Sequence, residues 1–320
     1  MTPADSSAFH FASLVWDWPI AIYLFLVGIS AGLVTLSVLL RHYRPEQATA
    51  DSTLMRTTLV IAPCAIILGL LILVFHLTRP WTFWKLMFHY SFTSVMSVGV
   101  MLFQVYMAVL VIWLANIFAS QIVVLQQRWL PTLNIVQKIL LRLAPMQKAL
   151  DIVMLVLAVM LGAYTGFLLS ALKTYPLLNN PILPILFLFS GVSSGAAVAL
   201  IAMACRYRHN PHSEEAHFVH RLETPVVWLE IFLLFAFFIG LALGDDGKQR
   251  ALMAALAGGF WAGWFWLGVV GLGLVTPLLL KSWANRMHSP YGVLAVSGMS
   301  LVGVLLLRFF ILYAGQLTVV

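Results

Sequence analysis

The stretch Leu24-Phe25-Leu26-Val27-Gly28-Ile29-Ser30-Ala31-Gly32 carries no charge and sits inside an apolar run of about 19–40. A run of ~20 apolar residues is the length a helix needs to cross about 30 Å of hydrocarbon. A second stretch, Phe187-Leu188-Phe189-Ser190-Gly191-Val192-Ser193-Ser194-Gly195, resembles the first and lies in a run of about 182–205. Each is followed by a basic aromatic segment, His42-Tyr43-Arg44 and Arg206-Tyr207-Arg208. Glycines four apart strip one helix face of side chains, so another backbone can approach it closely.

Working outward, similar runs recur along the whole length. The predicted spans are about 19–40, 57–77, 92–117, 149–172, 182–205, 225–243, 257–280 and 291–314. The protein has 320 residues, of which 62% are hydrophobic and 9% charged, with mean hydropathy +0.98. A soluble protein of this size needs far more charge to cover its surface. The gaps between runs leave no room for a separate soluble domain. Residues 1–18 contain no Lys or Arg, so no cleavable signal is expected and the first run should remain as a helix.

The net charge of +7 does not point to nucleic acid, because the basic residues are scattered over loops. Their distribution reports orientation instead. Arg79, Lys85, Lys173, Lys248 and Arg250 fall on the side of the N-terminus. Arg41, Arg44, Arg56, Arg128, Lys138, Arg142, Lys148, Arg206, Arg208, Arg221, Lys281 and Arg286 fall on the other. Cytoplasmic loops carry the basic excess, so both termini are expected outside. Both repeat stretches then run outside to inside. This predicts two four-helix bundles related by a parallel repeat, residues 1–175 and 176–320. Within the loop 118–148, Leu133, Val136, Leu140 and Leu143 recur at helical spacing, with Asn134, Gln137, Lys138 and Arg142 off that stripe. That pattern suits a helix lying in the cytoplasmic interface.

The informative residues are polar groups at membrane depth, where a charge costs at least ~2.5 kcal/mol. Topology brings five of them to the outer leaflet of the first bundle: Asp17 before span 1, His76 and Arg79 at the end of span 2, His89 before span 3, and Tyr164 in span 4. That set suits a quinol. Its ring oxygens need hydrogen-bond partners, such as Tyr164, and its protons need a base. Imidazole accepts a proton near neutral pH, and a carboxylate such as Asp17 can pass it to water. Each group also has a plain structural reading: His76 and His89 as interfacial residues, Arg79 paired with lipid phosphate, Tyr164 bonded to a carbonyl, and Asp17 capping the helix that begins Trp18-Pro19. Trp16, Trp18, Trp81, Trp84, Trp261, Trp264 and Trp266 gather at the same boundary, either as an interfacial belt or as walls for an aromatic ligand.

In the second bundle, Glu230 could serve a proton path, and Arg308 is expected to pair with Asp245 or Asp246. His209, His212, His217 and His220 lie beside acidic residues in a cytoplasmic loop, and no metal site is expected there. Cys64 and Cys205 read as small core residues. They cannot hold an iron–sulfur cluster, which needs about four thiolates. Two haems would need four axial ligands in the spans, and only His76 lies clearly within one, so no haem is expected. A quinol-oxidising protein of this kind must therefore hand its electrons to a docked subunit.

The segments Trp16-Asp17-Trp18-Pro19, His76-Leu77-Thr78-Arg79-Pro80-Trp81 with Phe83-Trp84, and Leu161-Gly162-Ala163-Tyr164-Thr165-Gly166 resemble the NrfD/PsrC family, the polysulfide reductase membrane subunits. The likeness covers nearly the whole sequence and is greatest to the branch serving formate-dependent nitrite reduction. It implies eight helices in two bundles, both termini periplasmic, in the bacterial inner membrane. It implies no haem and a menaquinol site in the first bundle on the periplasmic side, with Tyr164 as the quinone-contacting tyrosine. It further implies a periplasmic four-cluster ferredoxin-like iron–sulfur subunit as electron partner and a c-type cytochrome downstream. Family members place Asn and His near the start of the first helix, where this sequence has Asp17, so His76 or Arg79 would substitute. Two other classes compete on the residues alone: a transporter built on the repeat, which would need a polar midplane cavity in both halves, and a passive membrane anchor.

Overall fold

The computed structural model describes residues 8–77, 79–129, 142–206, 214–280 and 290–319, together with 138 and 140. Among them, eight helices are long and apolar enough to cross a membrane. They are α1 (Trp18–Tyr43), α2 (Thr53–Phe75), α4 (Val95–Ile117), α6 (Gln147–Ser170), α7 (Leu183–Arg206), α8 (Glu214–Ala242), α10 (Phe260–Leu280) and α11 (Pro290–Gly315). Three shorter helices lie between them: α3 (Phe83–Phe88), α5 (Ala119–Trp129) and α9 (Asp246–Leu256).

Local chemistry sets most helix starts. Pro19 opens α1 with its ring already at helical φ. Ser52 and Ser94 accept the Met55 and Ser97 N–H groups at the starts of α2 and α4. Asp245 accepts the Lys248 N–H to start α9. The sequence places the sixth span from 225, but α8 begins three turns earlier at Glu214 and runs straight through Pro225. A proline lacks the N–H, yet the helix continues because α8 packs along α7.

Two helices form the centre. α1 packs on α2, α6, α7 and α11, and α7 packs on α1, α6, α8 and α11. Both are buried over most of their length, whereas α2, α4, α8 and α10 turn most of their surface outward. Lipid supplies no hydrophobic drive between helices, so close packing has to do it. The repeated glycines provide that packing. A Cβ on Gly32 would fall 2.1 Å from the Gly191 carbonyl oxygen, and one on Gly195 would fall 2.5 Å from the Gly32 carbonyl carbon. Gly28 and Gly191 lie equally bare against each other. The two stretches that announce the fold therefore touch, backbone to backbone.

At the end away from the termini, Asp151 of α6 ties three helices. Its Oδ1 accepts from Arg41 Nε of α1 at 2.9 Å and from Trp113 Nε1 of α4 at 2.6 Å. A helix, α5, opens the loop 118–148 ahead of the expected interfacial stripe, of which Leu133, Asn134, Val136 and Gln137 lie outside the described residues. The cysteines correct the expectation of core residues. Cys64 and Cys205 are both exposed on the outer faces of their helices, where a thiol meets lipid as readily as any small apolar group.

Candidate functional site

Asp17 and His76 meet at the end of the molecule that holds both termini. Asp17 occupies the N-cap of α1, but its side chain makes no capping bond. It turns instead toward His76, the C-cap residue of α2, and Oδ1 lies 3.3 Å from Nε2. Each side chain is partly exposed. Oδ1 itself is shielded and has no aligned hydrogen-bond donor, so the contact is an ion-pair distance without hydrogen-bond geometry.

The approach to Asp17 is held from the far end of the sequence. The Gln316 side chain, just past α11, accepts from the Val15 and Trp16 N–H groups and donates to the Trp16 carbonyl. Ser13 Oγ donates to the Gln316 carbonyl at 2.6 Å, and Tyr175 donates to the Ser13 carbonyl at 2.9 Å. Earlier still, Phe9 packs edge-on against Trp261, Phe260 and Tyr313. Trp261 donates Nε1–H to the Ala8 carbonyl, and Trp264 donates to the Leu306 carbonyl. Of the seven boundary tryptophans, these two are structural fasteners. Trp18, Trp81, Trp84 and Trp266 are exposed.

Below the pair lies a row of rings. Tyr164 stands six residues before α6 ends at Ser170, about 9 Å down at 1.5 Å per residue. It is buried, and its ring meets Phe103 edge-on at 6.0 Å. Phe103 in turn meets Tyr23 of α1 at 5.9 Å. Gly99 makes room for the phenol, since a Cβ there would sit 1.8 Å from Tyr164 Oη. The Tyr164-Thr165-Gly166 segment thus has divided duties. Tyr164 faces α4, Thr165 bonds back to the Gly162 carbonyl at 2.8 Å, and Gly166 lets α6 approach the start of α7 at Leu183 and Pro184. Sequence reasoning misses Gly99 and Tyr23, because neither a lone glycine nor a lone tyrosine in an apolar run signals which neighbour it faces.

Arg79 and His89 stand apart. They flank the segment of Pro80–Thr82 and α3, nearly all of it exposed. Nδ1 of His89 is 3.3 Å from the Lys85 carbonyl. Among the described residues, neither side chain makes a hydrogen bond or ion pair with Asp17, His76 or Tyr164. Trp81 is 88% exposed here, and Phe88 and Phe92 stand out beside it.

In the second half of the protein, Arg308 is fully buried at 0% exposure. Its expected pairing with Asp245 or Asp246 is not what the structure contains. Asp245 caps α9, while the guanidinium points inward to α7. Nη2 donates to the Phe187 carbonyl at 3.0 Å and to Ser190 Oγ at 2.6 Å, and the group lies 3.7 Å over the Phe187 ring. Glu230 is the carboxylate whose charge acts on it, although the two make no ion pair within 4.0 Å among the described residues. The difference has a simple cause: Asp245 and Asp246 lie toward the same end as Arg308, but the long arginine stem reaches toward the bundle interior. His217 and His220 lie on α8, while His209 and His212 fall outside the described residues.

Eight apolar helices among the described residues, six of them around a glycine-lined central pair, with polar side chains gathered at helix ends, define a multi-pass membrane protein. The sequence profile described as "Polysulphide reductase, NrfD" matches residues 6–320. The sequence is 76% identical over 315 residues to Protein NrfD of Escherichia coli (strain K12), covering 98% of this protein and 99% of that one. It is 46% identical over 313 residues to the Protein NrfD homolog of Haemophilus influenzae, covering 97% of each. It is 39% identical over 316 residues to the C subunit of the polysulfide reductase of Wolinella succinogenes, covering 96% of each. The protein belongs to the NrfD/polysulfide reductase membrane subunit family.

Proposed function

We propose that this protein oxidises menaquinol near the end that holds its termini, taken as the periplasmic side of the bacterial inner membrane. The observation that carries this reading is the Asp17–His76 pair, 3.3 Å apart at the mouth of two helices, with the buried Tyr164 phenol about 9 Å below the helix ends. Oxidation of a quinol releases two electrons and two protons. Nε2 is the ring nitrogen nearer the Asp17 carboxylate, which leaves Nδ1 of His76 to take a ring hydroxyl proton, and Asp17 stabilises the imidazolium that forms. Both groups reach water, so the proton leaves outward. Tyr164 offers a hydroxyl to the second ring oxygen.

The electrons go to a docked iron–sulfur subunit, a periplasmic four-cluster ferredoxin-like protein, and from there toward a c-type cytochrome nitrite reductase. The exposed aromatic residues Trp81, Phe88 and Phe92 lie on the segment that follows His76, and they form the patch to which such a partner would dock. An apolar protrusion of this kind is typical of an interaction site. The excess of basic residues at the opposite end supports the orientation, and the facing glycine stretches support two four-helix bundles packed along α1 and α7.

The deciding experiment is binding of a menaquinol analogue to the purified protein, followed by quinol-dependent nitrite reduction in the assembled complex. Saturable binding that weakens in His76→Ala and Tyr164→Phe supports the site. Unchanged binding and rate in both variants would refute it.

A further inference from the structure

A separate row of polar groups runs along α8. Ala216, Val219, Glu223, Glu230, Leu233, Leu234, Phe237 and Leu241 form its buried face, so the two glutamates stand on that face seven residues apart. Two turns of helix separate them by about 10.5 Å. Glu223 Oε2 lies 3.3 Å from Nδ1 of His220, which is partly exposed near the end of the helix away from the termini.

Glu230 is 2% exposed, yet its Oε2 has no hydrogen-bond partner among the described residues. Ser193 of α7 lines the same cavity as this carboxyl group. Arg308 faces it from α11, and there too Nε and Nη1 are buried and unpartnered among the described residues, while Nη2 is occupied by Phe187 and Ser190. A small cavity of about 10 Å³, room for about one water, adjoins the carboxyl group and is lined by Ser193, Ser300, Gly273 and Gly303 among others. Among the described residues, no further titratable side chain lines it from α7, α10 or α11. The α10 wall is a π-helix over Trp264–Val275, a form that recurs at functional sites.

An ion pair built for stability would satisfy its atoms, because an unpaired buried charge is costly. The Glu230 carboxyl group is buried, has an oxygen with no partner among the described residues and lines a cavity with room for a water, which is what a group that exchanges protons with internal water requires. We propose that Glu230 is a proton-binding site served from the cytoplasmic face through His220 and Glu223. In loading, a proton leaves the His220 imidazolium for Glu223, crosses the two helical turns between the glutamates on water that enters transiently, and forms an O–H bond on Glu230. Water at the surface reprotonates His220, and no electrons are involved. The site owes nothing to the quinol reading.

The test is infrared spectroscopy of the full-length protein in lipid vesicles, without quinol. The expected result is a protonated-carboxyl C=O band that titrates with pH and vanishes in Glu230→Gln. On transfer to deuterated water the band should shift, and the shift should be roughly tenfold slower in Glu223→Gln and His220→Ala. A spectrum with no Glu230-dependent band at any pH where the protein is folded would overturn the proposal, leaving a carboxylate that is permanently charged. Exchange at the wild-type rate in both entrance variants would overturn the route. Should Glu230→Gln fail to accumulate, dicyclohexylcarbodiimide decides on the wild-type protein, since it adds to protonated carboxyl groups in apolar surroundings. Mass-spectrometric modification of Glu230 supports the site, and an unmodified Glu230 refutes it.

Discussion

Gln316 and Trp16 are joined twice: the Gln316 Oε1 accepts the Trp16 N–H at 2.9 Å, and its Nε2 donates to the Trp16 carbonyl at 2.8 Å. The last turn of the protein thereby fixes the residue next to Asp17. Gln316→Leu removes those bonds together with the one from Val15 N–H. Each buried group left unpaired costs about 1–3 kcal/mol. The expected outcome is a lower Tm in detergent, faster proteolysis ahead of α1, and reduced quinol-dependent turnover. Gln316→Glu keeps the acceptor for both N–H groups and should fall between. Equal Tm in all three proteins would show that the clasp is idle.

Asp17→Asn and His76→Ala each remove half of the pair. Loss of a positioned base costs on the order of 10²–10⁴ in rate. Quinol-dependent nitrite reduction should therefore drop by at least ~10-fold in each variant. The double variant should be no worse than His76→Ala alone, because the two groups act as one unit. Because both side chains are partly exposed, assembly of the complex should be unchanged, as judged by co-purification.

Gly99→Ala tests the ring row without removing a polar atom. The added methyl would occupy the space of Tyr164 Oη, so the phenol must move. The expected result is weaker binding of a quinol analogue, matching Tyr164→Phe, with normal accumulation in the membrane. Gly99→Ala with wild-type affinity would remove Tyr164 from the site.

Asp151→Ala strands Arg41 and Trp113 Nε1, both largely buried. Removing one member of a buried pair is destabilising by about 3–5 kcal/mol, discounted here toward ~2 kcal/mol because Asp151 is partly exposed. Thermal unfolding should show a lower Tm, and Arg41→Met/Asp151→Leu should recover part of it by removing both charges.

Much of this is legible in sequence, for physical reasons that differ by residue. Span count follows from composition, because only a helix satisfies its own backbone in hydrocarbon. The meeting of Asp17 and His76 follows from topology, since one span starts where the next ends. Tyr164 stands out by its depth and its motif. What stays hidden depends on which side of a helix faces which neighbour. Depth alone pairs Arg308 with aspartates at its own end of the bundle, whereas the side chain reaches inward. Composition alone puts Cys64 and Cys205 in the core, whereas both are exposed. Gly99 and Gln316 act on residues remote in sequence, and nothing in their local surroundings names those partners.

The bare seam between Gly28–Gly32 and Gly191–Gly195 also constrains how the protein can work. No side chains cushion it, so a displacement of even an ångström would drive carbonyls into Cα atoms. A carrier that rocks its halves around a cargo needs a joint that slips, and a seam of bare backbone packed this closely leaves little room for slippage.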